Sequence, residues 1–170
     1  MQLTGKQIVN QGIINGVCPE GIQQQGVDVR LDKVFEVLEF GNGTVPVKGK
    51  TTTPPTVEVA ALDAYEDSKG YFYLPPGYYE IEFVESCKIP ANCAMYFKTR
   101  SSLVRCGAEV RSGQFDGGFE TEKMGAFLKV ELPIKIERGA RVAQAIVTET
   151  YTVDAENLYN GQWQNDKQRQ

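Results

Sequence analysis

Residues 71–85 read YFYLPPGYYEIEFVE, and this stretch decides the fold. Pro75-Pro76-Gly77 is a turn between two segments rich in aromatic residues. After the turn, Tyr79, Ile81 and Phe83 alternate with Glu80 and Glu82, and Glu85 follows. A period of two sends one row to a core and the other row away from it. The same texture continues downstream. Ile89-Pro90-Ala91-Asn92 makes another turn, Ala94 to Lys98 a strand, and Ala126 to Glu131 and Ile134 to Glu137 two more. After a break at Gly139, Arg141 to Thr148 forms the last. Short strands at intervals of roughly 8–12 residues, separated by turn residues, predict an antiparallel sandwich, barrel or jelly roll. Upstream, Val27, Val29 and Leu31 alternate with Asp28, Arg30 and Asp32, so Asp28 faces either solvent or a cleft. Leu3 to Ile14 reads as a short helix capped by Thr4 and ended by Gly12 and Gly16. No helix of consequence is expected after residue 16. Residues 41–57, rich in Gly, Thr and Pro, read as a loop or loose hairpin without a chemistry of its own.

Composition bounds the function. A chain of 170 residues with 41% hydrophobic and 24% charged residues is expected to form a single domain over 1–170. Its net charge of −4 supplies no global field for nucleic acid, so any anion site must be a local cluster. No apolar run reaches membrane-spanning length and no signal-peptide core opens the chain, so the expected location is the cytoplasm. Cys18, Cys87, Cys93 and Cys106 lack CxxC spacing and read as reduced core residues. Histidine is absent, which removes Ser-His and Cys-His nucleophile pairs and the zinc deaminase signature.

The chemistry concentrates in KTRSSLVRCGAEVRSGQFDGGF, residues 98–119. Arg100, Ser101, Ser102 and Arg105 offer two guanidiniums and two hydroxyls, a set suited to phosphate oxygens. Asp116 stands between Phe115 and Gly117-Gly118, which reads as a carboxylate on a tight hairpin with exposed main chain. Each segment also has a plain reading: Arg-Ser-Ser as a solvated turn, Asp-Gly-Gly as a common hairpin. The end of the chain, YNGQWQNDKQRQ from Tyr159, is too polar for a core. It reads as a disordered terminus, or as a flap whose Tyr159, Trp163, Lys167 and Arg169 fold over a nucleotide.

Taken together, GVDVRL (26–31), RSSLVRCG (100–107), FDGGF (115–119), GARVAQ (139–144) and YNGQWQ (159–164) stand in the order of the trimeric dUTPase and dCTP deaminase superfamily, which the chain resembles from Leu3 to Gln164. The resemblance leans towards the deaminase-like branch, which also contains dUTPases. It implies an all-β, distorted jelly roll of short antiparallel strands, with a short N-terminal helix and a flexible closing tail over 158–170. It also implies a homotrimer with sites between subunits, the hairpin Asp coming from one subunit and the tail from another. Arg100, Ser101, Ser102 and Gln144 would then bind phosphates, with Arg105 beside them. Asp28 would order water around a Mg²⁺ carried by the triphosphate. Asp116 would activate the attacking water, Phe119 would pack on the deoxyribose, and the hairpin main chain at Gly117 would read the pyrimidine edge. Tyr159, Trp163, Lys167 and Arg169 would close the site. Deaminases of this family carry a Glu ten residues beyond the hairpin Asp, and here that position is Ala126. The hairpin is also longer at ETEKMG (120–125), through which Glu120 or Glu122 could reach that position in a shifted register. The implied activity is therefore Mg²⁺-dependent hydrolysis of dUTP to dUMP and pyrophosphate. The alternatives are a dCTP deaminase, mono- or bifunctional, and a non-catalytic nucleotide-binding regulatory trimer that contacts a partner through 41–57.

Overall fold

The computed structural model describes residues 1–38, 42–62 and 70–164. Helix α1 (Gly5–Asn10) is followed by β1 (Ile14–Asn15), β2 (Ile22–Gln23), β3 (Gly26–Val37) and β4 (Thr56–Glu58). Then come β5 (Tyr71–Leu74), β6 (Gly77–Phe83), β7 (Ser86–Lys88) and β8 (Cys93–Thr99). Helix α2 (Ser101–Arg105) leads to β9 (Ala108–Arg111), β10 (Glu120–Thr121), β11 (Gly125–Val130), β12 (Ile134–Glu137) and β13 (Arg141–Glu149). The strand pairs are antiparallel. The main sheet runs β8-β13-β3-β6-β11-β9, with β2 and β4 also on β3. Its two ends meet where the Thr99 hydroxyl donates to the Val110 carbonyl and accepts from the Val110 N–H. The sheet therefore nearly closes, and the fold is the expected all-β jelly-roll type.

Alternation explains the core. Tyr79, Ile81 and Phe83 of β6 are buried, as are Val27, Val29 and Leu31 of β3 and Ala126, Leu128 and Val130 of β11. Burying each aliphatic or aromatic side chain contributes about 1.5–3 kcal/mol. Glu85 is also fully buried, held by the Arg30 N–H at 2.9 Å and Arg30 Nε at 2.7 Å.

Several expectations shift. Helix α1 is shorter than Leu3–Ile14: Thr4 and Gln7 form a capping box at its start. Gly12, at φ +67°, turns the chain out so that Ile13 and the first residue of β1, Ile14, enter the core beyond the helix. The Arg-Ser-Ser segment opens the five-residue helix α2, too short to leave a periodic signal in sequence. Cys87 and Cys93 are buried, but Cys106 is exposed at the end of α2. The 115–119 segment does not join two paired strands. Phe115 bridges Met95, a turn closes from the Phe119 N–H to the Asp116 carbonyl, and the chain then enters β10, which pairs with β7.

Candidate active site

The residues of interest fall into two groups at opposite ends of β8. The first is a cationic row. Gln144 on β13 lies directly opposite both Asp28 on β3 and Lys98 on β8. Directly opposite residues share a face of the sheet. Asp28 is 2% exposed and faces neither solvent nor a cleft. Its Oδ2 takes Arg100 Nε at 3.2 Å and Arg141 Nη1 at 3.3 Å. Burial pushes the Asp28 carboxyl above its ordinary range, and the two guanidiniums pull against that. Arg100 also donates to the Arg141 carbonyl at 3.3 Å, and Arg141 donates to the Glu20 carbonyl. Asp28 thus fixes two arginines. Ser101 and Ser102 are exposed in the first turn of α2 and Arg105 in its last. Among the described residues no cluster of three or more Asp, Glu or Cys side chains could hold a metal ion.

The second group lines a cavity of about 1010 Å³. Asp116, Phe119, Tyr159 and Trp163 form one side of it, and Thr51–Thr56 form another. Asp116 is exposed to this cavity and Gln114 Nε2 donates to its Oδ1 at 2.8 Å. Its Oδ2 has no protein partner among the described residues. That arrangement holds the carboxylate in place while leaving one oxygen to accept a proton.

The tail reaches this cavity along a ladder of rings. Phe83, Phe97, Phe115, Phe119 and Tyr159 follow one another with centroids 4.8–5.2 Å apart. Edge-to-face aromatic pairs of this kind contribute about 0.5–1.5 kcal/mol beyond their buried area. The Tyr159 N–H donates to the Gly117 carbonyl at 2.9 Å and Gln164 Nε2 to the Gly118 carbonyl at 2.9 Å. Gln164 Oε1 accepts from the Glu120 N–H at 3.1 Å. Gly118, at φ +92°, lies so close to the tail that a Cβ there would meet Leu158 Cβ at 3.0 Å. The close approach permitted by the glycine pair is therefore made by the chain's own tail. Lys167 and Arg169 lie outside the described residues.

Residues 51–56 gain a role that composition did not reveal. Gln162 accepts from the Thr51 N–H at 3.0 Å and donates to its carbonyl at 3.2 Å, so this loop and the tail enclose the cavity together. Position 126 pairs with Ile81 and is buried beside it, while Gly125 and Phe127 occupy the other face of β11. No acid of β11 therefore lines the cavity. Glu120 pairs with Lys88 at 3.3 Å, and neither it nor Glu122 is among the cavity walls. Lys123 is drawn to Asp32 at 3.1 Å, which anchors the lengthened 120–125 turn to β3.

Arg100, Ser101, Ser102, Arg105 and Gln144 are not among the walls of this cavity. Phe115 bridges Met95, and Arg100, five residues on, follows the end of β8 as the N-cap of α2. At about 3.3 Å per residue the separation is about 16 Å. One chain thus carries both halves of the recognised constellation, apart.

Comparison with known proteins agrees with this architecture. A family profile described as dCTP deaminase-like matches residues 3–150. A probable deoxyuridine 5′-triphosphate nucleotidohydrolase of Halobacterium salinarum is 33% identical over 156 residues, 91% of this chain and 89% of that protein. The deoxyuridine 5′-triphosphate nucleotidohydrolase of Methanocaldococcus jannaschii is 33% identical over 145 residues, 84% and 88% of the two chains. Among solved structures, the 2′-deoxycytidine 5′-triphosphate deaminase of Agrobacterium tumefaciens shares the fold, with a TM-score of 0.61 at 16% identity over 86% of this chain. The present chain spans about half of that structure, 47% of its length.

Proposed function

The chain belongs to the dCTP deaminase-like family, and from that premise we propose that it is a dUTP pyrophosphatase, converting dUTP and water to dUMP and pyrophosphate. The observation that carries this choice within the family is the bare β11 face: Gly125 and Phe127 stand where a proton-shuttling acid would face the cavity, and Ala126 is turned to the core. Replacing an amine at cytosine C4 requires a proton shuttle, which these side chains cannot supply. Phosphoryl transfer requires charge neutralisation and a positioned water, which Arg100, Arg141 and Asp116 can supply. The relatives named above as nucleotidohydrolases support the same reading.

The substrate is read as the magnesium complex of dUTP, the cation arriving on the triphosphate, because Mg²⁺ commonly binds through phosphate oxygens and retained water. When bound, the cation neutralises phosphate charge. Asp28 holds the Arg100 and Arg141 guanidiniums for the phosphates, with Ser101, Ser102, Arg105 and Gln144 beside them. Asp116, held by Gln114, takes a proton from the water that attacks as the bond between the α- and β-phosphoryl groups breaks. Phe119 packs on the deoxyribose. Tyr159 and Trp163 exclude bulk water from the same side. The roughly 16 Å of chain between Met95, which anchors the Asp116 turn, and Arg100 favours a site shared between copies, in keeping with the implied homotrimer.

The test is to incubate the purified protein with dUTP, dCTP, dTTP and UTP in the presence of Mg²⁺ and to separate products by base and phosphorylation state. dUMP from dUTP is expected. Release of ammonia from dCTP would replace this reading with a deaminase, and absence of any turnover would replace it with a nucleotide-binding trimer.

A further inference from the structure

Residues 42–56 form a small hairpin beside the cavity. Thr44 and Thr52 exchange both main-chain hydrogen bonds, at 2.9 and 3.0 Å. The Leu38 N–H donates to the Pro55 carbonyl at 3.0 Å where the chain returns to β4. Thr51, Thr53, Pro54, Pro55 and Thr56 line the cavity, while Val45 and Val47 near the tip are exposed. A two-stranded hairpin is marginally stable in water by itself, so further contacts are needed to fix this wall of the cavity.

Gln162 supplies one. Thr52 commits its N–H and carbonyl to Thr44, so those of Thr51 point to the other edge of the hairpin, towards the tail. The Gln162 amide carries an acceptor and a donor in one plane, like a peptide group, and takes both. Its Oε1 accepts from the Thr51 N–H at 3.0 Å and its Nε2 donates to the Thr51 carbonyl at 3.2 Å. The side chain thus stands in for one residue of a third strand. Gln162 is not itself among the cavity walls, whereas Tyr159 and Trp163 are. The turn that carries all three is compact: the Tyr159 hydroxyl accepts from the Trp163 N–H at 3.4 Å, and a Cβ on Gly161 would stand 2.5 Å from that hydroxyl. Gln164 on the same turn holds Gly118 and Glu120. Two glutamines therefore tie one turn to two walls of the cavity, Gln164 to the Asp116 side and Gln162 to the hairpin.

A wall held through the tail closes when the tail does. Resting on the dUTP reading above, we propose that Gln162 is a positioning residue that makes the 42–56 hairpin a second cover of the nucleotide, closing with the tail as a single body. The amide suits this use and close relatives of it do not. Asn is one methylene shorter, and an ionised Glu offers the Thr51 carbonyl no donor. Through Thr51, closure of the tail brings Thr53 and Pro54 to the nucleotide from a wall that Phe119 and Asp116 do not supply.

Gln162→Ala removes both bonds and leaves Gln164 in place. Two such bonds are worth about a five- to thirtyfold fall in kcat/KM for dUTP. The deciding readout is the hairpin itself. Lys48 and Lys50 are exposed near its tip, so trypsin cleavage after them, followed by mass spectrometry, reports its opening. In wild type, saturating α,β-imido-dUTP should slow that cleavage at least about fivefold, because cleavage tracks the open population. In Gln162→Ala the analogue should still shield Trp163 from acrylamide, since the tail keeps its Gln164 seat, yet slow the cleavage by less than about twofold. Equal protection of the hairpin in both proteins overturns the proposal and leaves the dUTP reading intact. So does a wild type in which the analogue shields Trp163 without slowing the cleavage, a result that needs no variant to fold. A wild type that neither binds the analogue nor hydrolyses dUTP overturns both.

Discussion

Gly118→Ala should open the site without unfolding the protein. Gly118 has φ +92°, where a side chain costs about 1–2 kcal/mol. That strain is common to the open and closed tail and appears as lost stability, a fall in Tm of roughly 2–8 °C for a chain of this size. The added Cβ would also stand 3.0 Å from Leu158 Cβ and 3.2 Å from the Tyr159 N. The tail must yield. What it then loses is the Tyr159 bond to Gly117 and the Gln164 bonds to Gly118 and Glu120. At about 1 kcal/mol net for each bond, the closed state loses about 2–3 kcal/mol, a factor of roughly 30–150 in its population. The kcat/KM for dUTP should fall by a similar factor. Trp163 is the chain's single tryptophan and lies on the tail, so acrylamide quenching of intrinsic fluorescence reads the opening directly. Quenching should rise in the variant. A variant with wild-type kcat/KM would refute the link between closure and turnover, and unchanged quenching would refute the seating of the tail on Gly118.

Asp116→Asn should retain binding of a non-hydrolysable dUTP analogue, measured calorimetrically, while turnover falls about 10²–10⁴-fold, the usual cost of a lost general base. Purified trimers that mix Arg100→Ala with Asp116→Asn chains should regain activity that neither parent has, because clamp and base of a site come from different copies. Trimers that mix chains truncated after Leu158 with Asp116→Asn chains should regain none, because tail and Asp116 belong to one chain; the reverse pattern would invert the assignment. For acid stability, burial works to raise Asp32, but hydrogen bonds from Arg138 and Lys123 outweigh it and hold the carboxyl below its ordinary 3.8. Its stabilisation is therefore complete above the unfolded value and is lost as pH falls through the folded one, so Asp32→Asn should flatten the acid limb of urea midpoints below about pH 4. Asp28 has the opposite sign: burial raises it, its charged form opposes folding at neutral pH, and its protonation removes that cost.

The β architecture was legible because Tyr79, Ile81 and Phe83 alternate with acids so regularly that only one face of β6 could be the core. The same alternation did not reveal the cavity over the other face. Period two says which face a residue takes, not that the Thr51–Thr56 loop and the tail would roof that face over. Asp28 was ambiguous for a related reason. Its exclusion from the valine face was visible, but its partners Arg100 and Arg141 come from segments more than 70 residues away in the chain. The Arg-Ser-Ser helix leaves no periodicity in five residues. The glycines of 117–118 signalled a close approach, yet a glycine does not record whether ligand or tail approaches. In each case the sequence carried the local geometry, and long-range packing decided its use.

On the proposed reading, the division of the site along β8 would give a homotrimer a chemical reason. The turn bearing Asp116 is tied to the sheet at Met95, and Arg100 caps the far end of the same strand. A rigid strand holds these two points about 16 Å apart and cannot fold to bring them together. A single copy on the proposed reading therefore has a base and a roof without a clamp, and elsewhere a clamp without a base. Head-to-tail contact, clamp of one copy against the cavity of the next, solves both deficits at once and leaves neither unused if the ring closes. Three copies then give three sites, each built from a rigid half on either side. On that reading the tail, seated on its own Phe119 and Gly118, closes a site from the cavity side, so closure would be completed within one copy while phosphate capture would depend on the neighbour.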